Sequence, residues 1–212
     1  MADKVVWLVD DQEDECASFA RLIQEKMQDI TVRQQCPPFK NLQDSLPMLR
    51  NQLTAGLIVD QRLKETGIAT YTGIELAKYV RSIRPKLPVY ILTNFPDEDE
   101  YGGPVGDVEG IVAKTDMVDS EKLDEWMARF KRHLDVYADI LSERAQRFRV
   151  LLRKRVSSSL SEEEQKEYDE LQFLRISPIV AGESHNAEKL DELIDALQQL
   201  VKDKHKGSNS ET

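Results

Sequence analysis

The chain has 212 residues and a mass of 24.3 kDa, enough for one well-filled core with material left for a second small element. With 29 Lys and Arg against 39 Asp and Glu, the net charge of −10 argues against broad, nonspecific attraction to nucleic acid or anionic membrane. No stretch approaches the roughly 20 apolar residues needed to cross a bilayer, and the opening "MADK" lacks the apolar core of a signal peptide, so a soluble, cytoplasmic protein without membrane contact is expected.

Short β-branched runs alternate with helical patterns in the first part of the chain. "VVWLV" reads as a buried strand, and the stretch from Glu13 to Met27 follows with Phe19, Leu22, Ile23 and Met27 at helical spacing. Next come "ITVRQ", a weaker helix near Leu42 to Leu53, and the strand "GLIVD". "GIELAKYVRSIR" is a clear helix closed by Pro85, and the strands "PVYILT" and "GIVAKT" complete the set. Five strands separated by crossovers imply a parallel, doubly wound sheet with helices on both faces, an α/β fold. Cys16 and Cys36 have neither metal-ligand spacing nor the density of a disulfide scaffold, so both are expected to be ordinary reduced thiols.

The second part is helical. From Leu123 the apolar positions Met127, Phe130, Leu134, Tyr137, Leu141, Ala145, Phe148 and Leu152 recur at three and four, which predicts one long helix from near Val118 to Val156. Its length, about 60 Å at about 1.5 Å per residue, is too great for all of it to lie on one compact domain. Ser161 is a candidate N-cap for a helix to about Ile176, with "SPIVAGESHN" as a breaker. A last amphipathic helix carries Leu190, Leu193, Ile194, Leu197, Leu200 and Val201, and the tail is polar. The expected division is 1–132, 133–206 and a disordered 207–212.

Ligands of a parallel α/β sheet gather beyond the carboxyl ends of its strands. Strand one ends in Asp10 and Asp11, strand three in Asp60, strand four in Thr93 and strand five in Lys114. A lone Asp after a strand is ordinarily a turn or helix cap, but five such polar ends converge at one edge. Three carboxylates brought together repel unless a cation shares the site, and all-oxygen ligation suits a hard ion such as Mg2+. A carboxylate nucleophile beside a metal, a hydroxyl and an ammonium can carry out phosphoryl transfer, with Asp60 the best-placed nucleophile.

The order Asp-Asp, Asp, Thr, Lys, together with "TGIELAKYVR" and its opening Gly73, resembles the receiver domain of two-component response regulators over roughly residues 3 to 132. The resemblance implies a five-stranded flavodoxin-like fold and Mg2+ on Asp10, Asp11 and Asp60. It also implies a phosphoryl group accepted on Asp60 from a histidine kinase or phosphotransfer protein, and its sensing by Thr93 and Lys114. Three positions depart from that pattern: Thr115 replaces the usual proline after the lysine, Ile111 the switching aromatic, and Asn94 the small residue after the threonine. The loop between Asp60 and Gly73 is several residues longer than is common, which suits either a cover for the site or an inert insertion. "NFPDEDEYGGPVGDVEG" holds four glycines and two prolines, which argues against a full fourth helix there.

Output through protein contacts of the helical extension, with a partner or as a homodimer by a coiled-coil seam, is the favoured expectation. A phosphorylation-independent receiver-like scaffold is the alternative. A DNA-binding regulator using Arg144, Arg147, Arg149, Arg153, Lys154 and Arg155 is disfavoured, because no short recognition helix accompanies that run. His133, His185 and His205 have no partners at metal or triad spacing, so no separate enzymatic domain is expected.

Overall fold

The structure is a computed structural model that describes residues 4–96 and 108–181. Residues up to Pro178 form one compact unit and the chain from Ile179 onward a second. Among the described residues no helix is long and apolar enough to cross a membrane. The last amphipathic helix, the tail and most of the glycine-rich segment after Phe95 lie outside the described residues.

The apolar runs form five strands: β1 (Lys4–Val9), β2 (Ile30–Gln35), β3 (Thr54–Asp60), β4 (Val89–Thr93) and β5 (Gly110–Ala113). All pair in parallel, in the order β2-β1-β3-β4-β5. That order makes the sheet flavodoxin-like and doubly wound. Every residue of β3 and β4 is buried, as strands covered on both faces require.

One face is covered by α1 (Glu13–Lys26) and the first half of the long C-terminal helix. There Cys16, Phe19 and Ile23 meet Leu8, Ile58 and Tyr90. The opposite face carries Leu57, Val59, Val89 and Ile91, against which α2 (Leu46–Arg50) and α3 (Gly73–Ile83) pack. The expected weaker helix is shorter than its pattern suggests. A 3-10 turn, Leu42–Ser45, precedes α2, Pro47 stands in the first turn of α2, and the helix ends at Arg50.

The long helix, α4, runs Ser120–Ser157 without interruption and is started by Asp119, whose carboxylate accepts the backbone N–H of Glu121 and Lys122. It crosses residues 132 and 133 as continuous helix. At about 1.5 Å per residue its 38 residues span about 57 Å. Its apolar seam changes partner half-way. Leu123, Trp126, Met127, Phe130 and Leu134 are buried on the sheet, where Trp126 stacks on Phe130 and Tyr90 meets both rings edge-on. The glycine at position 56 permits this approach, since a Cβ there would stand 2.8 Å from Leu134.

Beyond Tyr137 the seam leaves the sheet. Leu141 and Leu152 are more than a third exposed, and the buried residues are Phe148 and Leu151, which pack with Tyr168, Leu160 and Leu171. The expected Leu152 is thus displaced by its neighbour, because this part of the helix faces a returning helix in a different direction. Residues 162–178 are helical and begin with a reciprocal cap between Ser161 and Glu164. This helix continues through Pro178 rather than stopping near Ile176, and nothing local in the sequence explains why.

Phe130 is fully buried where α4, β3 and β4 meet. Phe130→Ala is expected to lower stability by about 3–5 kcal/mol in a denaturant titration, whereas a loss under about 1 kcal/mol would show that α4 is not part of the sheet's core.

Candidate functional site

The carboxyl edge of the sheet is the one place among the described residues where fully buried charges gather. Asp10 follows β1 and is 0% exposed, Asp60 ends β3 at 5%, and Lys114 follows β5 at 6%. The Lys114 ammonium lies 2.9 Å from Asp10 Oδ2, 2.9 Å from Asp60 Oδ1 and 2.6 Å from Glu15 Oε2. The remaining oxygens of the two aspartates are also satisfied. Asp10 Oδ1 accepts the Gln12 N–H at 2.9 Å, and Asp60 Oδ2 accepts the Arg62 N–H at 2.6 Å.

Three of the five predicted side chains therefore meet directly: Asp10, Asp60 and Lys114. Asp11 is placed differently, as its Oδ2 accepts the backbone N–H of Thr66 at 3.3 Å. Thr93 is buried at the same edge, where its hydroxyl accepts the Phe95 N–H at 3.1 Å. Among the described residues, no group of three His, Cys, Asp or Glu side chains stands close enough to hold a metal ion. The two buried carboxylates are nevertheless hard oxygen donors of the kind that Mg2+ takes, so the chemistry of the donors fits that ion. Asp10, Asp11 and Asp60 are the residues that would hold it.

Glu15 was not legible as a member of this cluster. It stands in the first turn of α1, one residue before the fully buried Cys16, and that register turns its carboxylate toward the sheet edge. The buried Cys16 thiol is pushed up to about 12 by desolvation and by Asp10, and it stays a thiol, as does Cys36.

Burial is the largest influence on both aspartates, and it outweighs the neighbouring ammonium. The Asp60 carboxyl is raised to about 6 and that of Asp10 is also raised. Burial alone would lower Lys114, but Asp60, Glu15 and Asp10 together hold it well above the ordinary lysine value. Asp10 adds a smaller upward push on Asp60, since two buried carboxylates share one ammonium.

The long loop after Asp60 is held against the body of the protein at several points. Leu63, Ala69 and Tyr71 are buried, and Thr70 donates from its N–H and hydroxyl to the Lys40 carbonyl. The Arg62 guanidinium lies 3.8 Å over the Phe95 ring, joining the ends of β3 and β4. The loop closes where Gly73 N–H donates to the Gln61 carbonyl, and a Cβ at Gly73 would stand 2.4 Å from the Asp60 carbonyl oxygen. The first residue of α3 must therefore be glycine for the helix to start against the end of β3. Thr72 and Glu75 then cap it reciprocally. Lys114 opens a 3-10 turn, Lys114–Met117, and the one cis peptide among the described residues is Cys36–Pro37, so the bond to Thr115 is trans.

No protein-family model and no curated protein matches this chain. Among solved structures it is similar to the CheY-like response regulator receiver domain protein of Methanospirillum hungatei JF-1, at 14% identity over 65% of this chain and 98% of that one, with a TM-score of 0.48. It is also similar to NtrX from Brucella abortus in complex with ADP, at 15% identity over 68% of this chain and 30% of that one, with a TM-score of 0.48. The Salmonella typhimurium RcsB response regulator shares 16% identity over 82% of this chain and 93% of that one, with a TM-score of 0.47. These likenesses concern the fold alone.

A carboxyl raised to about 6 from 3.8 favours its protonated form in the folded state. The stability linked to that proton is full below about pH 4 and is lost as the pH rises through about 6. Asp60→Asn, which removes the charge and keeps the shape, is expected to melt above the wild type at pH 8, by at most about 3 kcal/mol in stability. That advantage should shrink to about half by pH 5 and vanish below about pH 4. A difference that is constant from pH 5 to pH 8 would contradict the burial-driven shift of Asp60.

Proposed function

We propose that this chain is a response-regulator-type phosphoacceptor in which Asp60 takes a phosphoryl group from a histidine kinase or phosphotransfer protein and the helical extension passes the signal to a protein partner. The observation that carries the proposal is the Asp10–Lys114–Asp60 arrangement at the carboxyl edge of a flavodoxin-like sheet. A carboxylate oxygen of Asp60 attacks phosphorus, the P–N bond to the donor imidazole breaks as the new P–O bond forms, and the imidazole nitrogen keeps the electron pair and takes up a proton. Mg2+ on Asp10, Asp11 and Asp60 would supply charge neutralisation for the transferring oxygens. Lys114, already against Asp60, is placed to pair with the acyl phosphate, and Thr93 is placed at the same edge to donate its hydroxyl.

The route of output follows from chain connectivity. Lys114 begins the 3-10 turn whose Met117 is buried with Trp126, Met127 and Phe130, and Asp119 then caps α4. A change of partner by Lys114 therefore acts on the start of the helix that also builds the extension. This supports signalling through α4 where Ile111 stands in place of the switching aromatic. The exposed Val150, Val156 and Phe173 give the extension apolar surface for a protein partner or a second copy. Nucleic acid is a poorer fit, since Arg147 pairs with Glu167 and Lys154 with Glu164.

A second reading, a receiver-like scaffold that binds its partner without phosphorylation, is favoured by one observation: Lys114 bridges the two carboxylates while Asp11 is engaged by Thr66. Intact-mass spectrometry after incubation with acetyl phosphate and Mg2+ separates the two. One added phosphoryl group on the wild type and none on Asp60→Asn is the expected result. Equal labelling of both would overturn the assignment of Asp60, and no labelling together with no Mg2+ binding would establish the scaffold.

A further inference from the structure

At the amino edge of the sheet, the opposite end from Asp60, a cavity of about 570 Å3 opens between the ends of α2 and α3, the middle of α4 and the returning helix. The seven residues of β3 separate the two edges, roughly 20 Å at about 3.3 Å per residue. Its lining holds Arg50, Arg84, Lys86, Arg144, Arg149 and Arg175 and, among the described residues, no acidic side chain. In a chain of net charge −10 this is a marked concentration of positive charge.

The ion pairing of the same two helices shows that the concentration is local. Away from the cavity, Arg147 pairs with Glu167 at 2.6 Å and Lys154 with Glu164 at 2.6 Å. Toward the cavity, Arg84, Lys86, Arg144, Arg149 and Arg175 have no carboxylate partner among the described residues. Three of these guanidiniums are held in place by other contacts, Arg149 through its Nε–H, which donates to the Ala145 carbonyl at 3.2 Å. Arg84 donates to the Tyr137 hydroxyl at 3.0 Å, and Arg175 lies 4.2 Å over the Phe148 ring. Leu141, Leu171 and Leu174 supply an apolar wall between the cations.

We propose that this cavity binds a nucleotide, its phosphates held by Arg144, Arg149 and Arg175 and its base and sugar against Leu141, Leu171 and Leu174. Five cations exceed what a single carboxylate could neutralise, and guanidinium forks match phosphate oxygens in paired hydrogen bonds. The volume lies within the range of small-ligand sites, about 300–1,000 Å3, and the concave, partly apolar lining suits an organic phosphate rather than an extended polyanion. A ligand here touches the turn entering β4 through Arg84 and Lys86 and the extension through Arg144, Arg149 and Arg175. It therefore clamps the extension to the end of the sheet remote from the acidic site.

The test is isothermal titration of the full chain in Mg2+-free buffer with ADP, GDP and UDP, and with inorganic pyrophosphate as a probe lacking base and sugar. At least one nucleotide is expected to bind at a single site, more tightly than pyrophosphate. Arg144→Gln and Arg149→Gln, neither of which breaks an ion pair among the described residues, should each weaken it about tenfold or more with the melting temperature unchanged. Asp60→Asn should leave the affinity as it is. The proposal is overturned if none of the three nucleotides binds at about 1 mM, if pyrophosphate binds as tightly as the nucleotides, if both arginine variants bind like the wild type, or if Asp60→Asn abolishes binding.

Discussion

A single ammonium group holds the functional end of this fold together. Lys114, 6% exposed, is shared by two aspartates that are themselves almost fully buried, and so it ties the ends of β1, β3 and β5 to one point. Desolvating three charges costs several kcal/mol for each, and the arrangement persists only because every oxygen of Asp10 and Asp60 is paired, one to the ammonium and one to a backbone N–H. Glu15 adds a third, half-exposed carboxylate. Burial is what chiefly raises Asp60, and the neighbouring Asp10 adds to the rise. A buried strand can end in two adjacent aspartates here because the two are handled separately: Asp10 is neutralised from the end of β5, and Asp11 is tied to the loop that follows Asp60.

The second constraint is that α4 serves two cores. Its first half completes the sheet through Trp126, Phe130 and Leu134, and its second half pairs with the returning helix through Phe148 and Leu151. The chain between Lys114 and the start of α4 is only a 3-10 turn and a cap. The acidic edge and the extension are thus joined by a short stretch of chain. The cationic cavity sits where the helix leaves the sheet, between Tyr137 and Phe148, and the seam residues Leu141 and Ala145 there are part of its lining.

Much of this was legible in the sequence. Parallel strands must be apolar on both faces, so "VVWLV", "GLIVD", "PVYILT" and "GIVAKT" stood out, and their ends placed Asp10, Asp60, Thr93 and Lys114 at one edge. What could not be read was which cation lies between the carboxylates, because a lysine two strands away in the sheet is a matter of reach rather than of pattern. Glu15 was hidden in an acidic helix start that is common for reasons of dipole alone. Spacing at three and four predicted that the α4 seam would be buried but not its partners, and the shift from Leu152 to Leu151 follows from the direction of the returning helix. The cavity was invisible for the same reason. Its arginines come from the end of α3, from α4 and from the returning helix, and only the folded arrangement separates them from the paired Arg147 and Lys154.

If Lys114 neutralises the carboxylates that a divalent cation would use, then removing the ammonium must make that cation bind more tightly. The direct measurement is calorimetric titration of Mg2+ into the wild type and into Lys114→Met at pH 8. Binding about tenfold or more stronger is expected in the variant, from the loss of a competing unit charge at hydrogen-bond distance. Equal or weaker Mg2+ binding by a folded Lys114→Met protein would contradict the central role of that ammonium.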